Sequence, residues 1–117
     1  MAKLDDVRIG MLNLAMFKAI QAGKVESQTP EASWFPCGFA WLGYSCRKNA
    51  KIGKVLQGMG WRWNDYEKAW ETSLYNAIPA ISGMSQSMDY RARILRKVCE
   101  VLKAEGFTEF YTRTRID

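Results

Sequence analysis

The octet at residues 37–44, Cys-Gly-Phe-Ala-Trp-Leu-Gly-Tyr, limits the fold of this chain more than any other segment. Small and aromatic residues alternate along it, and a β-strand places successive side chains on opposite faces. Phe39 and Trp41 therefore share one face of the predicted strand, while Gly38 and Ala40 lie on the other. The pattern predicts a sheet with one aromatic face.

The octet also resembles the aromatic strand motif of RNA-recognition domains, Lys/Arg-Gly-Phe/Tyr-Gly/Ala-Phe-Val-x-Phe/Tyr. The motif is matched outright at Gly38, Phe39 and Ala40. It is matched in kind at Trp41, Leu42 and Tyr44, and its cation is replaced by Cys37. In such domains, aromatic rings on the sheet stack on unpaired bases. The resemblance implies a sheet surface that binds single-stranded nucleic acid.

Hydrophobic periodicity and turn residues divide the chain into helices and strands. A 3.6-residue period predicts helices, each followed by a glycine stop, at residues 4–22, 49–58 and 88–105. Alternation and β-prone composition predict strands at residues 35–44, 61–63, 69–74 and 107–116. Residues 76–87 contain Pro79, Gly83 and several serines, which is typical of a loop.

From residue 35 the predicted order is strand, helix, strand, strand, helix, strand. This βαββαβ order is that of the ferredoxin-like, split βαβ fold, in which four antiparallel strands carry two helices on one face. We therefore predict an α+β fold in which residues 1–117 form a single domain. Residues 35–117 are its core, and the helix at residues 4–22 is an addition.

The helix at residues 4–22 carries apolar residues over a wide arc, so it needs cover on more than one side. Its own domain or a second subunit can supply that cover, and we predict a homodimer through this segment. Two arrangements stay open within one chain. If the helix lies on the aromatic face of the sheet, the rings are core; if it packs elsewhere, the rings are free to bind.

Composition argues against the common catalytic and metal sites. Histidine is absent, and the cysteines Cys37, Cys46 and Cys99 show no Cys-x-x-Cys spacing. Ser–His and Cys–His catalytic pairs therefore cannot form within the chain, and the commonest metal ligand is missing. We predict a non-enzymatic protein with no metal or cofactor. The early acids Asp5 and Asp6 do not suit a secretory signal, and no apolar run reaches about 20 residues, so we expect a cytoplasmic location.

The net charge is +5, and the cations are clustered. Residues 47–54 and 91–103 are both strongly basic, which favours an anionic partner, although a solvated helix face is the simpler explanation of such runs. We predict that nucleic acid bases stack on Phe39, Trp41, Trp61 and Trp63. The predicted phosphate contacts are Lys48, Lys51, Lys54, Arg113 and Arg115.

A second candidate site is the segment Gly-Met-Ser-Gln-Ser-Met-Asp-Tyr-Arg at residues 83–91. A Gly/Ser loop that runs into a helix start presents free N–H groups and the positive end of the helix dipole. We predict that this loop binds an anion through Ser85, Gln86, Ser87 and Arg91. The alternative is a capped helix after a long loop. A nucleotide-cleaving site here would rely on the carboxylates of Asp89 and Asp117.

Three short motifs resemble small proteins encoded in phage and prophage genomes. They are Pro36-Cys37-Gly38-Phe39-Ala40-Trp41, Ser85-Gln86-Ser87-Met88-Asp89 and Arg113-Thr114-Arg115-Ile116-Asp117. Those proteins share a Gly-Phe-Ala-Trp strand, a Gln-Ser-Met/Leu-Asp helix start and a Ser-Arg-Leu-Asp-like ending, in which Thr114 and Ile116 replace Ser and Leu here. The resemblance implies a phage accessory protein, which would act in the cytoplasm of the host cell.

The sequence therefore predicts a small binding protein that engages nucleic acid through aromatic and basic residues. One alternative is an inhibitor or adaptor that binds a host protein, since Tyr, Trp and Arg are also favoured anchors of protein interfaces. Another is a nucleotide-binding protein that uses the loop at residues 83–91.

Overall fold

The computed structural model describes residues 2–28, 38–78 and 88–116. Its elements are α1 (Ala2–Ser27), β1 (Gly38–Ser45), α2 (Lys51–Gly58), β2 (Arg62–Asn64), β3 (Ala69–Ser73), the one-turn α3 (Leu74–Ala77), α4 (Met88–Ala104) and β4 (Phe110–Ile116). The predicted α+β class is confirmed. Apart from α3, which the sequence did not predict, and the end of α1, the element order and type agree with the predictions.

The strands form one four-stranded antiparallel sheet in the order β2-β3-β1-β4. β1 lies inside the sheet, where Gly43 pairs with Glu71 of β3 on one side and with Tyr111 of β4 on the other. β2 forms the edge beside β3, with Arg62 opposite Glu71. These pairings line up one residue from each strand in a single row across the sheet.

The hydrophobic core lies between the sheet and the helices. Alternate residues of β1, Ala40, Leu42 and Tyr44, are buried on the helix side. α4 packs over β1 and β4, and its buried residues, Tyr90, Ile94, Leu95, Val98 and Leu102, recur at helical spacing. α2 lies on the same side, because its Gly53 contacts the indole of Trp70, the cross-strand neighbour of Tyr44.

α1 packs mainly against α4, on the helix side of the sheet, where its Met16 and Ile20 share a cavity with Leu42 of β1. Its small and apolar residues Leu12, Ala15, Met16 and Ala19 are buried there. Ion pairs tie its exposed side to the rest of the chain, at Arg8–Glu109 (2.7 Å), Lys18–Glu105 (2.9 Å) and Asp6–Lys51 (2.6 Å). Of the two arrangements left open by the sequence, α1 therefore adopts the one that leaves the aromatic sheet face uncovered by any described helix.

The predicted end of the first helix at Gly23 is wrong, because α1 continues to Ser27. Gly23 instead marks the place where α1 approaches its neighbours most closely. A Cβ at this position would lie 2.8 Å from Val98 Cγ2 and 2.9 Å from Ile78 Cδ1, and both of those side chains are buried. The glycine is therefore explained by packing and not by helix termination.

Two alanine substitutions in α1 should change stability in opposite directions. Gly23→Ala should lower the free energy of unfolding by roughly 1–2 kcal/mol, because overpacking against Val98 and Ile78 outweighs the gain in helix propensity. Gly10→Ala, at a position with open space around it, should raise the free energy of unfolding by roughly 0.5–1 kcal/mol. Urea unfolding of the two variants measures both changes, and a stabilised Gly23→Ala variant would contradict the close packing.

Candidate nucleic-acid interface

The sheet surface opposite the helices, called the open face below, carries alternating aromatic and cationic pairs. Along β1 and β4, Phe39 lies opposite Arg115 and Trp41 lies opposite Arg113. The rings of Phe39 and Trp41 stack with their centroids 5.8 Å apart and an interplanar angle of 27°. Phe39 is 44% exposed, which is unusual for a phenylalanine in the middle of a sheet. Phe39 and Trp41 therefore lie on the same face of β1, as the sequence predicts.

Arg113 joins the aromatic pair to the polar centre of the open face. Its guanidinium carbon lies 4.0 Å from the centroid of the Trp41 ring, a cation–π contact. The same group donates two hydrogen bonds to Glu71, from Nη2 to Oε1 (2.7 Å) and from Nε to Oε2 (3.0 Å). This bidentate geometry fixes the plane of the guanidinium, and with it one face of Trp41.

Glu71 is the centre of this network and is only 7% exposed. Besides the two hydrogen bonds from Arg113, it accepts one from the Tyr111 hydroxyl (2.8 Å) and one from Asn64 Nδ2 (2.9 Å). Burial alone would raise the pKa of this carboxyl, but the hydrogen bonds from Arg113, Asn64 and Tyr111 and the charge of Arg113 outweigh it, so its pKa lies below the ordinary value. Glu71 is therefore a stably ionised group.

Tyr111 reaches Glu71 across the backbone of β1. Its ring lies directly over Gly43, where a Cβ would stand 2.3 Å from the ring carbon Cζ. Any side chain at this position would displace the ring, which accounts for a glycine in the middle of the strand. Burial, then the hydrogen bond and the charge of Glu71, raise the pKa of Tyr111, so its hydroxyl stays protonated and donates.

A cleft of about 690 Å³ opens beside this network, toward the β2 edge. Its lining includes Trp41, Arg62, Asn64, Glu71, Ser73 and Arg113. Arg62 is exposed and makes no ion pair within the described part of the chain. Asp65 also lines the cleft and lies 3.9 Å from Lys68, and Glu67 lies 3.8 Å from Arg113, so charges of both signs surround the end near the β2–β3 turn.

The other two predicted stacking residues do not belong to the open face. Trp61 is only 5% exposed and packs edge-on against Phe110, with 5.9 Å between ring centroids. Trp63 pairs with Trp70 on the helix side of the sheet, and their centroids are 5.6 Å apart. The predicted placement of these two rings on the face of Phe39 is therefore wrong, because the register of β2 turns Arg62 and not the Trp63 ring to the open face, although Trp63 still borders the cleft.

The predicted phosphate contacts are divided between the two sides of the molecule. Arg115 is exposed on the open face, and Arg113 is there but engaged by Glu71. Lys54 and Lys51 are on α2, on the helix side, where Lys51 is bonded to Asp6. Lys48 is exposed in the connection between β1 and α2. The structure therefore does not bring the lysines together with the aromatic pair.

Most of the predicted anion-binding loop lies outside the described residues. Ser85, Gln86, Ser87 and the terminal Asp117 lie outside the described residues. Arg91 is described, and its Nη1 lies 3.3 Å from the Gly38 carbonyl oxygen, to which it donates a hydrogen bond. This contact connects the first turns of α4 to the start of β1.

The described residues form neither a reactive thiol site nor a metal site. Cys46 and Cys99 are free thiols, and burial raises the pKa of each. Across residues 2–28, 38–78 and 88–116 there is no group of three or more Cys, Asp or Glu side chains that could hold a metal ion. Within the same ranges, no helix has both the length and the apolar character needed to cross a bilayer.

Comparisons with protein families, with curated proteins and with solved structures found no match to this chain. The geometry of the open face is therefore the basis for a functional proposal. Glu71 is not among the site residues that the sequence predicted. The signal that could have singled it out is an ionisable residue between Trp70 and Thr72 in the middle of a predicted strand.

Replacing Glu71 should remove an ionised group on which the open face depends. Glu71→Gln should lower the free energy of unfolding by roughly 2–4 kcal/mol at pH 7, because Arg113 is left without its carboxylate. The folded-state pKa of Glu71 lies below the ordinary value of 4.5. The wild type therefore loses this contribution as the pH falls from about 4.5 through that lower pKa, and the difference from the variant should shrink over the same range.

Urea unfolding at a series of pH values between about 7 and 3 measures this difference. Glu67→Gln is the matched control, since Glu67 lies 3.8 Å from the same arginine but is 44% exposed. It should change the free energy of unfolding by less than about 0.5 kcal/mol. A difference between wild type and Glu71→Gln that stays constant with pH would contradict a depressed pKa at Glu71.

Proposed function

We propose that the open face binds single-stranded nucleic acid, with bases stacked on Phe39 and Trp41 and phosphates bound by Arg115 and Arg62. The observation that carries this proposal is an exposed, stacked aromatic pair on a sheet face, beside arginines that no described acid engages. An apolar ring that costs free energy to expose is useful where a base can cover it, because every base has a π-face.

The two rings have different roles in this proposal. Arg113 covers one face of Trp41 at 4.0 Å, so Trp41 offers its remaining face and its edge. Phe39 is the more accessible ring and is the principal stacking site. Stacking on such a ring contributes roughly 1–3 kcal/mol per base, so this pair supports one or two bases.

The phosphate contacts follow from which cations are free. Arg115 lies beside Phe39 and has a guanidinium that no described acid engages, whereas Arg113 is neutralised by Glu71. We therefore assign phosphate binding to Arg115 and, across the cleft, to Arg62. Arg113 is a positioning residue that holds Trp41. The nucleic acid strand then lies along β1 and β4, where Phe39 and Arg115 are neighbours, with one phosphate reaching Arg62 across the cleft.

The proposal also includes the fold type and the biological context of the protein. The strand order β2-β3-β1-β4 with antiparallel pairing, and α2 and α4 on one side, support a ferredoxin-like core extended by α1. A four-stranded sheet with aromatics on its uncovered face is an arrangement that RNA-binding domains use. We place the protein among non-enzymatic phage accessory proteins that act in the host cytoplasm, on the strength of the motif resemblance.

Titration with a fluorescently labelled, mixed-sequence single strand of about 10 nucleotides tests the proposal, since that length spans one such face. The wild type should bind and lose affinity steeply as salt rises. Phe39→Ala should weaken binding by roughly 5- to 150-fold, the equivalent of one stacked base. Tyr66→Ala, which removes a 99% exposed ring from the β2–β3 turn, is the matched control and should bind like the wild type.

The proposed phosphate contacts are tested by the slope of the logarithm of the binding constant against the logarithm of the salt concentration. Arg115→Gln should reduce that slope by about 0.7, the value expected for one lost phosphate contact on a single strand. Lys54→Gln removes the same charge from the helix side and should leave the slope unchanged. No binding by the wild type at low salt would contradict the proposal, and the aromatic pair would then be better explained as an anchor for a host protein.

A further inference from the structure

α1 carries a second uncovered surface that the proposed function does not use. Val7, Met11, Leu14 and Phe17 are between 54% and 64% exposed, although all four are large apolar residues. Their spacing of three and four residues places them along one side of the helix, and this set is called the α1 stripe below. Leu12, Ala15, Met16 and Ala19 are buried on the opposite side. The wide apolar arc of α1 is thus covered by its own chain on one side only.

We infer that the α1 stripe is a dimer interface, and that its partner is a second copy of this chain packed antiparallel across a two-fold axis at Leu14. In such a pair each Leu14 meets its own counterpart, and Met11 lies opposite Phe17 of the other copy. Thioether–aromatic contacts of that kind are favourable. Met11, Leu14 and Phe17 therefore meet apolar counterparts, as a two-fold interface requires, and Val7 lies opposite the exposed Gln21.

The backbone along the stripe permits close approach. A Cβ placed on Gly10 would meet nothing within 4 Å, so this position is a shallow gap in the helix surface. About the same axis, Gly10 faces Lys18 of the other copy, whose aliphatic stem fits over a residue with no side chain. Beside Phe17, an apolar groove of about 290 Å³ continues toward Met59, which is itself 36% exposed.

Charge favours a copy of the chain over a charged partner. Among the described side chains, the charged residues beside the stripe are Lys18, Arg8 and Asp6, which are already paired with Glu105, Glu109 and Lys51 of the same chain. These described pairs add little net charge to the stripe, whereas Arg62 and Arg115, which make no ion pair with a described acid, are on the other side of the sheet. The net charge of +5 therefore does little to separate two copies that meet at α1.

The exposed apolar area of the α1 stripe determines the expected affinity of the dimer. The four stripe side chains expose on the order of 400 Å² per copy, about half of what each partner buries in a standard interface. Gly10, the stem of Lys18, and the groove beside Phe17 add to that area. We therefore expect dissociation in the micromolar range. Because α1 is on the helix side of the sheet and the open face is on the other side, dimerisation and nucleic-acid binding can each fail without the other.

Light scattering of the full chain during gel filtration, at concentrations from roughly 1 to 100 µM, tests the inference. At the upper end the wild type should have twice the 13.4 kDa mass of one chain. Leu14→Glu and Phe17→Glu, each placing a charge in the stripe, should remain monomeric throughout. Tyr66→Glu makes the same change in charge at a 99% exposed aromatic residue far from α1 and should dimerise like the wild type.

Circular dichroism and urea unfolding establish that each variant is folded, which we expect because both stripe positions are exposed. The two variants are independent, so one that fails to fold leaves the other as the test. A wild type that stays monomeric at the highest concentration would overturn the inference. A folded Leu14→Glu or Phe17→Glu variant that remains dimeric would overturn it too, as would dissociation of Tyr66→Glu.

Discussion

A carboxylate that is 93% shielded from solvent lies at the centre of the sheet, and the open face is organised around it. Glu71, 7% exposed, can stay ionised there only because Arg113, Tyr111 and Asn64 all donate hydrogen bonds to it. A buried ion pair of this kind adds little stability compared with an apolar pair of the same size, but it fixes the orientation of the side chains that form it. Here it fixes the plane of Arg113, which lies against the ring of Trp41.

The aromatic pair is therefore held before any ligand arrives. Arg113 supports Trp41 from β4, and Trp41 in turn stacks on Phe39 along β1. A surface whose rings are already oriented loses less conformational entropy on binding than one whose side chains must be ordered by the ligand. The same arrangement explains why Arg113, which the sequence suggested as a phosphate contact, is better understood as a support for the ring.

The molecule separates two kinds of surface across its helix layer. The open face joins aromatic rings to arginines that no described acid engages, so the association proposed there should weaken as salt screens the charges. The α1 stripe is apolar and bordered by charges that are paired within the chain, so association there should respond little to salt. α1 and α4 both lie on the helix side of the sheet, so two chains joined at α1 leave both open faces uncovered.

Whether a sequence prediction succeeded depended on how far apart the interacting residues are along the chain. The alternation of residues 37–44 placed Phe39 and Trp41 on one face correctly, because strand periodicity is a local property. The prediction for Trp61 and Trp63 failed, because the face that a short edge strand presents depends on register, and a shift of one residue exchanges the two faces. Glu71 was overlooked because Arg113, its main partner, is 42 positions away.

What the sequence by itself determined was the order of the elements, the α+β class and the sidedness of β1, since each rests on spacing within a few neighbouring residues. It also showed that α1 carries more apolar surface than one contact can cover. Only the tertiary structure decided that α1 packs on α4, that the sheet face stays open, and that Glu71 gathers its donors from β2 and β4. Those outcomes depend on contacts between distant segments, which periodicity and composition do not encode.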